Sequence, residues 1–217
     1  MRILIVNRAL GTLFGGGEAF DLALARQLVK RGHRVTLVTG KPLLGQAPNQ
    51  FRDIETVFLA TPNLRKYAYA TERLNSKISA AFYHLDNWLF ERAVYRWLRR
   101  YGADVKFDVV HCCSLFRLPQ WLLKSRRQPV VSWLPGPPSG QERRAISRLV
   151  RDPHFGLFAR GTSVWVLEGE MGLRRSVDFE IIEPGVDLCR VEAAAGCRRV
   201  RRQELGLTEN DLLGMTA

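Results

Sequence analysis

The first forty residues narrow the fold more than any other part of the chain. An apolar run, Arg2-Ile3-Leu4-Ile5-Val6-Asn7, meets the glycine-rich stretch Gly11 to Glu18, which carries Gly15, Gly16 and Gly17 in succession. Helical periodicity runs from Ala19 to Arg31, and Gly32-His33 leads into a second apolar run, Arg34-Val35-Thr36-Leu37-Val38-Thr39. Strand, glycine turn, helix and strand compose one βαβ unit, whose crossover is right-handed. Three consecutive glycines let backbone N–H groups approach a ligand with no Cβ in the way. At the start of a helix those groups favour an anion such as a phosphate or diphosphate. Gly15, Gly16 and Gly17 are therefore expected to form an anion cradle, with Glu18 in the first helical turn beside it.

Two well-known phosphate motifs are absent. The dinucleotide fingerprint needs a third glycine where Phe20 stands, and an acidic residue at the end of the second strand, which here reads Val38-Thr39-Gly40-Lys41. The chain also lacks a P-loop. A tight βα turn without a ligand is the competing reading of the same glycines.

Beyond the opening unit the alternation continues. Strands are expected at Phe107–Cys113, Pro129–Trp133, Ser163–Leu167 and Phe179–Glu183. Helices are expected at Phe116–Arg127, Gln141–Val150, briefly from Pro153, and at Glu168–Arg175. Strands separated by helices at this spacing mean an α/β, doubly wound, mostly parallel sheet. His111, at the end of its strand, is placed where strand C-termini line the ligand crevice of such sheets. A structural hydrogen-bonding role is its alternative.

Composition bounds the class. The 217 residues are 46% hydrophobic with a formal charge of +12, enough for one full domain or a little more. No run approaches the roughly eighteen apolar residues of a membrane span, and the N-terminus enters a strand directly, unlike a signal peptide. Cys112, Cys113, Cys189 and Cys197 match neither a zinc nor a redox motif, so reduced thiols in a cytoplasmic protein are expected. The basic residues are dispersed and form no nucleic-acid-reading module, so no nucleic-acid partner is expected. The stretch Leu64–Arg100 interleaves eight Arg or Lys residues with eight aromatics. That pattern suits a helix lying on an anionic membrane surface, at the inner face of a membrane. It equally suits an amphipathic helix whose aromatics pack on the sheet while its arginines stay solvated.

The C-terminal end changes character. Pro184-Gly185-Val186-Asp187-Leu188 closes the last strand, Arg190–Cys197 is linker-like, and Arg198–Leu205 is a basic helix. Asp211–Ala217 then has the pattern of a fresh strand. The expected organisation is a domain over residues 1–188, with residues 189–217 as the threshold of a second.

Taken in order, four features resemble the N-terminal half of the family-4 glycosyltransferases. They are the Gly-Gly-x-Glu loop with its helix ending Arg31-Gly32-His33, the strand Asp108-Val109-Val110-His111, the turn Ile182-Glu183-Pro184-Gly185-Val186-Asp187, and the basic helix ending Leu205-Gly206-Leu207. The resemblance implies a GT-B architecture, two Rossmann-like domains facing across a cleft, with this chain supplying the acceptor side. It implies transfer from a nucleotide-sugar with retention and without a bound metal or other cofactor. It places Gly15–Gly17 near a donor diphosphate or acceptor phosphate, and gives Pro184, Gly185 and Asp187 an interdomain hinge role. In the family the strand equivalent to Val130–Trp133 ends in a histidine, whose place is taken here by Trp133-Leu134-Pro135-Gly136, and the asparagine of its Pro-Asn-Gly-Val-Asp turn is missing. The family's donor-binding residues belong to the second domain, so catalytic residues are not identified and this polypeptide alone is expected not to transfer sugar. A non-catalytic module holding a phosphorylated or lipid-linked ligand at a membrane is the alternative.

Overall fold

A computed structural model describes residues 1–10, 16–41, 51–62, 76–101, 106–126, 128–183 and 203–204. The chain divides into two compact units, Met1–Glu183 and Pro184–Ala217. In the second unit the described residues, Gln203 and Glu204, are helical and exposed. The expected hinge Pro184, Gly185 and Asp187, and the expected strand Asp211–Ala217, lie outside the described residues.

The first unit is built on a seven-stranded, all-parallel sheet. Its strands are β1 (Arg2–Val6), β2 (Arg34–Gly40), β3 (Glu55–Leu59), β4 (Val109–Cys113), β5 (Val130–Leu134), β6 (Phe155–Ala159) and β7 (Glu180–Ile181). They lie in the order β3-β2-β1-β4-β5-β6-β7. The chain winds outward from β1 to β3, returns to the centre at β4, and winds outward again the other way. The order therefore reverses between β1 and β4, where Ile3 pairs with Val109 and Val6 with Cys112.

Alternation along the strands feeds two separate cores. On one face Ile3, Ile5, Val35 and Leu37 pack against Leu22 and Ala25 of α1 (Gly16–Lys30). On the other, Leu4, Val6, Val38, Val110 and Cys112 meet Phe90, Val94 and Leu98 of α2 (Ser76–Tyr101). Leu118 and Leu122 of α3 (Arg117–Arg126) and Ile146 and Leu149 of α4 (Gly140–Leu149) complete that second core. Apolar residues at i, i+4 and i+8 on α2 form one continuous stripe, which is why a 26-residue helix seats along a sheet. Glycine's conformational freedom is needed at Gly32, which closes α1 at φ 82°. Its N–H bonds Val29 O and the next N–H, of His33, bonds Leu28 O, the paired bonds of a Schellman ending.

Five expectations from the sequence need correction. The helix α1 starts at Gly16 rather than Ala19, so two of the three glycines form its first turn. The sixth strand is Phe155–Ala159, where a short helix was expected, and Ser163–Leu167 is not a strand. The Asp152 carboxylate accepts the His154 N–H at 2.9 Å, a local turn that throws the chain straight into β6 instead of capping a helix. Ser163–Leu167 instead runs through the helical turns Gly161–Ser163 and Trp165–Glu170, where Val166 and Leu167 turn to the core and Trp165 stays exposed. That second turn also replaces the helix expected at Glu168–Arg175, which stops at Gly172. The last strand is shorter than Phe179–Glu183, pairing only Glu180 and Ile181 with Phe158 and Ala159. The edge strand β3 was not anticipated.

Candidate functional site

In an open parallel sheet the crevice lies at the C-terminal strand ends, where the strand order reverses. Here that point is the edge formed by β1 and β4, and three groups of side chains are built around it.

The first ties α1 to the sheet. Asp21 is fully buried, and its carboxylate accepts a hydrogen bond from Asn7 Nδ2 at 2.7 Å and lies 2.9 Å from His111 Nε2. Asn7 Oδ1 in turn accepts the Ala9 N–H at 2.9 Å, fixing the exit of β1. A buried carboxylate is tolerated because every partner around it is polar and paired. His111 is 8% exposed, and its Nε2 is committed to Asp21. The structure thus gives it an internal partner on the crevice floor.

One helical turn before Asp21, Gly17 sits over the ends of β4 and β5. A Cβ there would touch Pro135, Trp133 and Cys113 at 3.7–3.8 Å, while a Cβ on Gly16 would meet nothing. Neither glycine is required by a left-handed backbone or by a clash within the protein. The space above Gly16 is open, and Glu18 follows in the same turn. Gly15 lies outside the described residues. The Cys113 thiol is pushed well above its ordinary range by burial, then by the Asp21 and Glu18 carboxylates, so it is a neutral thiol and not a nucleophile. Phe20 stacks on Trp133 at 4.1 Å between ring centroids, closing the far side of the turn.

The second group belongs to Arg8, just past β1. Its guanidinium donates from Nε to Asn87 Oδ1 at 2.7 Å and approaches the buried Asp86 carboxylate at 3.6 Å. Its carbonyl accepts the Gly40 N–H at 3.2 Å and the Thr39 hydroxyl at 3.3 Å. A Cβ at Gly40 would lie 3.0 Å from that carbonyl, so the Arg8 backbone would have to give way to any side chain at the end of β2. Arg8 therefore binds the ends of β1 and β2 to α2.

The third group is a cavity of about 350 Å³ bounded by α2, the β4–α3 connection and α4. Glu91 reaches it from α2 with only 4% exposure, and its carboxylate accepts N–H groups of Phe116, Arg117 and Leu118 at the start of α3. Burial raises its pKa from the ordinary 4.5 to about 7, and the backbone donors only partly offset this. Ser114, also on the wall, holds a left-handed backbone at φ 50°, uncommon for a residue with a Cβ. Among the described residues no group of His, Cys, Asp and Glu side chains is arranged to hold a metal ion.

The aromatic residues of the Leu64–Arg100 stretch that the structure describes are largely engaged within the protein. Phe90 is fully buried, Tyr95 and Trp97 pack on the core, and Tyr83 lies under Arg8. No described helix is long and apolar enough to cross a membrane.

Fold and site together define a Rossmann-like, all-parallel α/β domain whose crevice carries a helix N-terminus on one side and a polar cavity on the other. Residues 14–190 match the family model Glycosyltransferase Family 4, and the chain belongs to that family. It is a glycosyltransferase module of the GT-B type. Among solved structures it resembles WaaG, a glycosyltransferase involved in lipopolysaccharide biosynthesis, with 16% identity and a TM-score of 0.54 over 96% of this chain and 52% of WaaG. It also resembles a sucrose-phosphate synthase from Thermosynechococcus elongatus, with 13% identity and a TM-score of 0.53 over 94% of this chain and 99% of that one. Arabidopsis thaliana UGT89C1 in complex with UDP-L-rhamnose aligns with 79% of the chain at 16% identity and a TM-score of 0.46. The chain spans 47% of that enzyme, about half its length. No curated protein sequence matches it.

Sequence reasoning singled out the glycines and His111 and did not single out Asn7, Asp21, Glu91 and the cavity wall. Two of these carried a signal: Asp21 and Glu91 are carboxylates directly beside buried Leu22 and Phe90, at positions where their helices face the core.

Proposed function

We propose that Met1–Glu183 is the acceptor-side domain of a sugar transferase, which moves a sugar from a nucleotide-sugar to a glycan, lipid or small-molecule acceptor. The observation that carries this reading is the polar cavity at the sheet's C-terminal edge, in a chain that matches family 4 over residues 14–190. The donor's nucleotide belongs to a second Rossmann-like domain, and transfer proceeds with retention and without a bound metal. The N–H groups of Gly16, Gly17 and Glu18, with Gly15 before them, serve the departing diphosphate, whose growing charge preorganised donors stabilise. His111 acts as a positioning residue, holding α1 through Asp21. Pro184, Gly185 and Asp187 form the hinge toward the donor domain.

A peripheral position at the inner face of a membrane is a second reading. It is favoured by one exposed stripe on α2, apolar at Ile78, Ala81 and Leu85 and basic at Arg92, Arg96, Arg99 and Arg100. Salt-sensitive sedimentation with anionic vesicles supports it, and sedimentation indifferent to lipid charge overturns it.

The transfer reading is tested by incubating the two-domain protein with a panel of radiolabelled nucleotide-sugars and acceptors. Labelled product from the two-domain protein, and none from the 217-residue chain alone, is the expected result. Absence of product across the panel, or turnover by the chain alone, overturns it.

A further inference from the structure

We infer that the cavity between α2, the β4–α3 connection and α4 is a subsite for a phosphate group carried by the acceptor, held by Arg117, Arg144 and Arg148. This rests on the reading of the domain as the acceptor side.

Many of the domain's arginines are paired with carboxylates. Arg26, Arg34, Arg143, Arg160, Arg174 and Arg175 each have a carboxylate partner: Asp53, Glu55, Glu170, Glu183, Asp178 and Glu168. Arg8 is buried against Asp86. Arg117, Arg144 and Arg148, like several surface arginines such as Arg96, Arg99 and Arg151, form no ion pair among the described residues, but these three line one concavity. Arg144 and Arg148 are one helical turn apart on α4, so both project from the same face, and Arg117 opens α3 opposite them.

The two carboxylates in the cavity form no ion pair with Arg144 or Arg148, and Glu91 feels only the charge of Arg117 while its oxygens are turned to backbone donors. Glu142 accepts the Ser139 N–H at 2.6 Å and completes the capping box of α4. Glu91 is turned onto the N–H groups that open α3. The guanidinium donors are therefore left for something else. The remaining lining adds neutral groups able to meet a sugar or glycerol moiety, among them Asn87, Gln120, Gln141 and the Ser114 hydroxyl.

Chemistry then selects the ligand. Three planar guanidiniums converging without a counter-ion match a tetrahedral dianion, which accepts bidentate pairs from each. A neutral hydroxylated acceptor would leave those donors unused. The volume fits one phosphorylated monosaccharide or one phospholipid headgroup, and is at the lower end of ordinary ligand sites. The shared chemistry is a phosphate ester presented beside hydroxyl groups.

The test uses the full 217-residue chain in calorimetric titrations with glucose, glucose 6-phosphate and inorganic phosphate, and in flotation with phosphatidylcholine vesicles with and without phosphatidic acid. Glucose 6-phosphate is expected to bind at least about ten-fold tighter than glucose, with an R144Q/R148Q variant losing that difference. R117Q is expected to weaken binding by a smaller factor, and R175Q, on a paired surface arginine, to leave it unchanged. Circular dichroism confirms folding, and all three cavity arginines are exposed, so folding is not at risk. Vesicle binding that needs phosphatidic acid and is lost in R144Q/R148Q assigns the phosphate to a lipid. Binding of glucose 6-phosphate without vesicle binding assigns it to a soluble sugar. Equal affinity for glucose and glucose 6-phosphate, or undiminished phosphate or vesicle binding by R144Q/R148Q, overturns the inference. Sugar transfer by the two-domain protein to a phosphorylated acceptor that is undiminished in R144Q/R148Q also overturns it while leaving the transferase reading intact. Phosphate binding without transfer by the two-domain protein would do the reverse.

Discussion

Individual side chains in this domain are set by what lies beside them more than by their own type. Glu91 is the clearest case. Its pKa is raised from 4.5 to about 7, so the folded protein keeps a proton that the unfolded chain releases. The sign follows: the stabilisation is complete below about pH 4.5, declines as pH rises, and is gone above about pH 7. The loss across that window is on the order of 3 kcal/mol. Glu91→Gln should flatten that slope in urea denaturation between pH 5 and pH 8, and an unchanged slope would move its source elsewhere. Asp21 makes the opposite point, since its partners are also buried. Asp21→Ala strands Asn7 Nδ2 and His111 Nε2 without an acceptor, which should cost about 2–4 kcal/mol by the same measurement. A cost below about 1 kcal/mol would show that the cluster re-pairs. Neither residue was read from the sequence as part of the site, although each stands directly beside a buried apolar residue of its own helix. A single carboxylate beside core leucines or phenylalanines reads as surface until the packing that surrounds it is known.

Secondary-structure elements were legible where one signal acted alone. The runs Arg2–Val6, Arg34–Gly40, Val109–Cys113 and Val130–Leu134 are continuous apolar stretches bounded by turn residues, and all are strands. The reading failed where two signals competed. Asp152-Pro153 reads as a helix start, yet the same aspartate makes a turn that opens β6. Val164–Leu167 is β-branched and aromatic, yet it folds into helical turns that bury Val166 and Leu167 and leave Trp165 exposed, so tertiary packing overrides propensity. The edge strand β3 carries a charged first residue and only half-buried side chains, too weak a pattern to stand out. At the helix ends local chemistry dominates again. Gly32→Ala forces a Cβ into φ 82° and should lower stability by about 1 kcal/mol, read as a shift in denaturation midpoint. No shift would mean that the Schellman ending contributes nothing to α1.

At the scale of the molecule, the doubly wound sheet sets where chemistry can occur. The reversal of strand order between β1 and β4 opens the crevice, and α1, Arg8 and the cavity all gather at that edge. The same reversal has a temporal side. The middle of the sheet joins Ile3 to Val109, so the two central strands are made about a hundred residues apart. At roughly 5–20 residues per second, the first strand waits several seconds beside the ribosome for its neighbour. Until then one edge of β1 offers unpaired backbone groups, and its two apolar faces lack most of their cover. Residues 1–105 expressed alone should therefore show no cooperative unfolding, whereas residues 1–183 should unfold in one transition. A cooperative transition in the shorter fragment would mean that β1–β3 close without β4. The crevice that makes the domain useful lies along a seam that cannot close until β4 is made, and until then it depends on whatever shields a nascent strand.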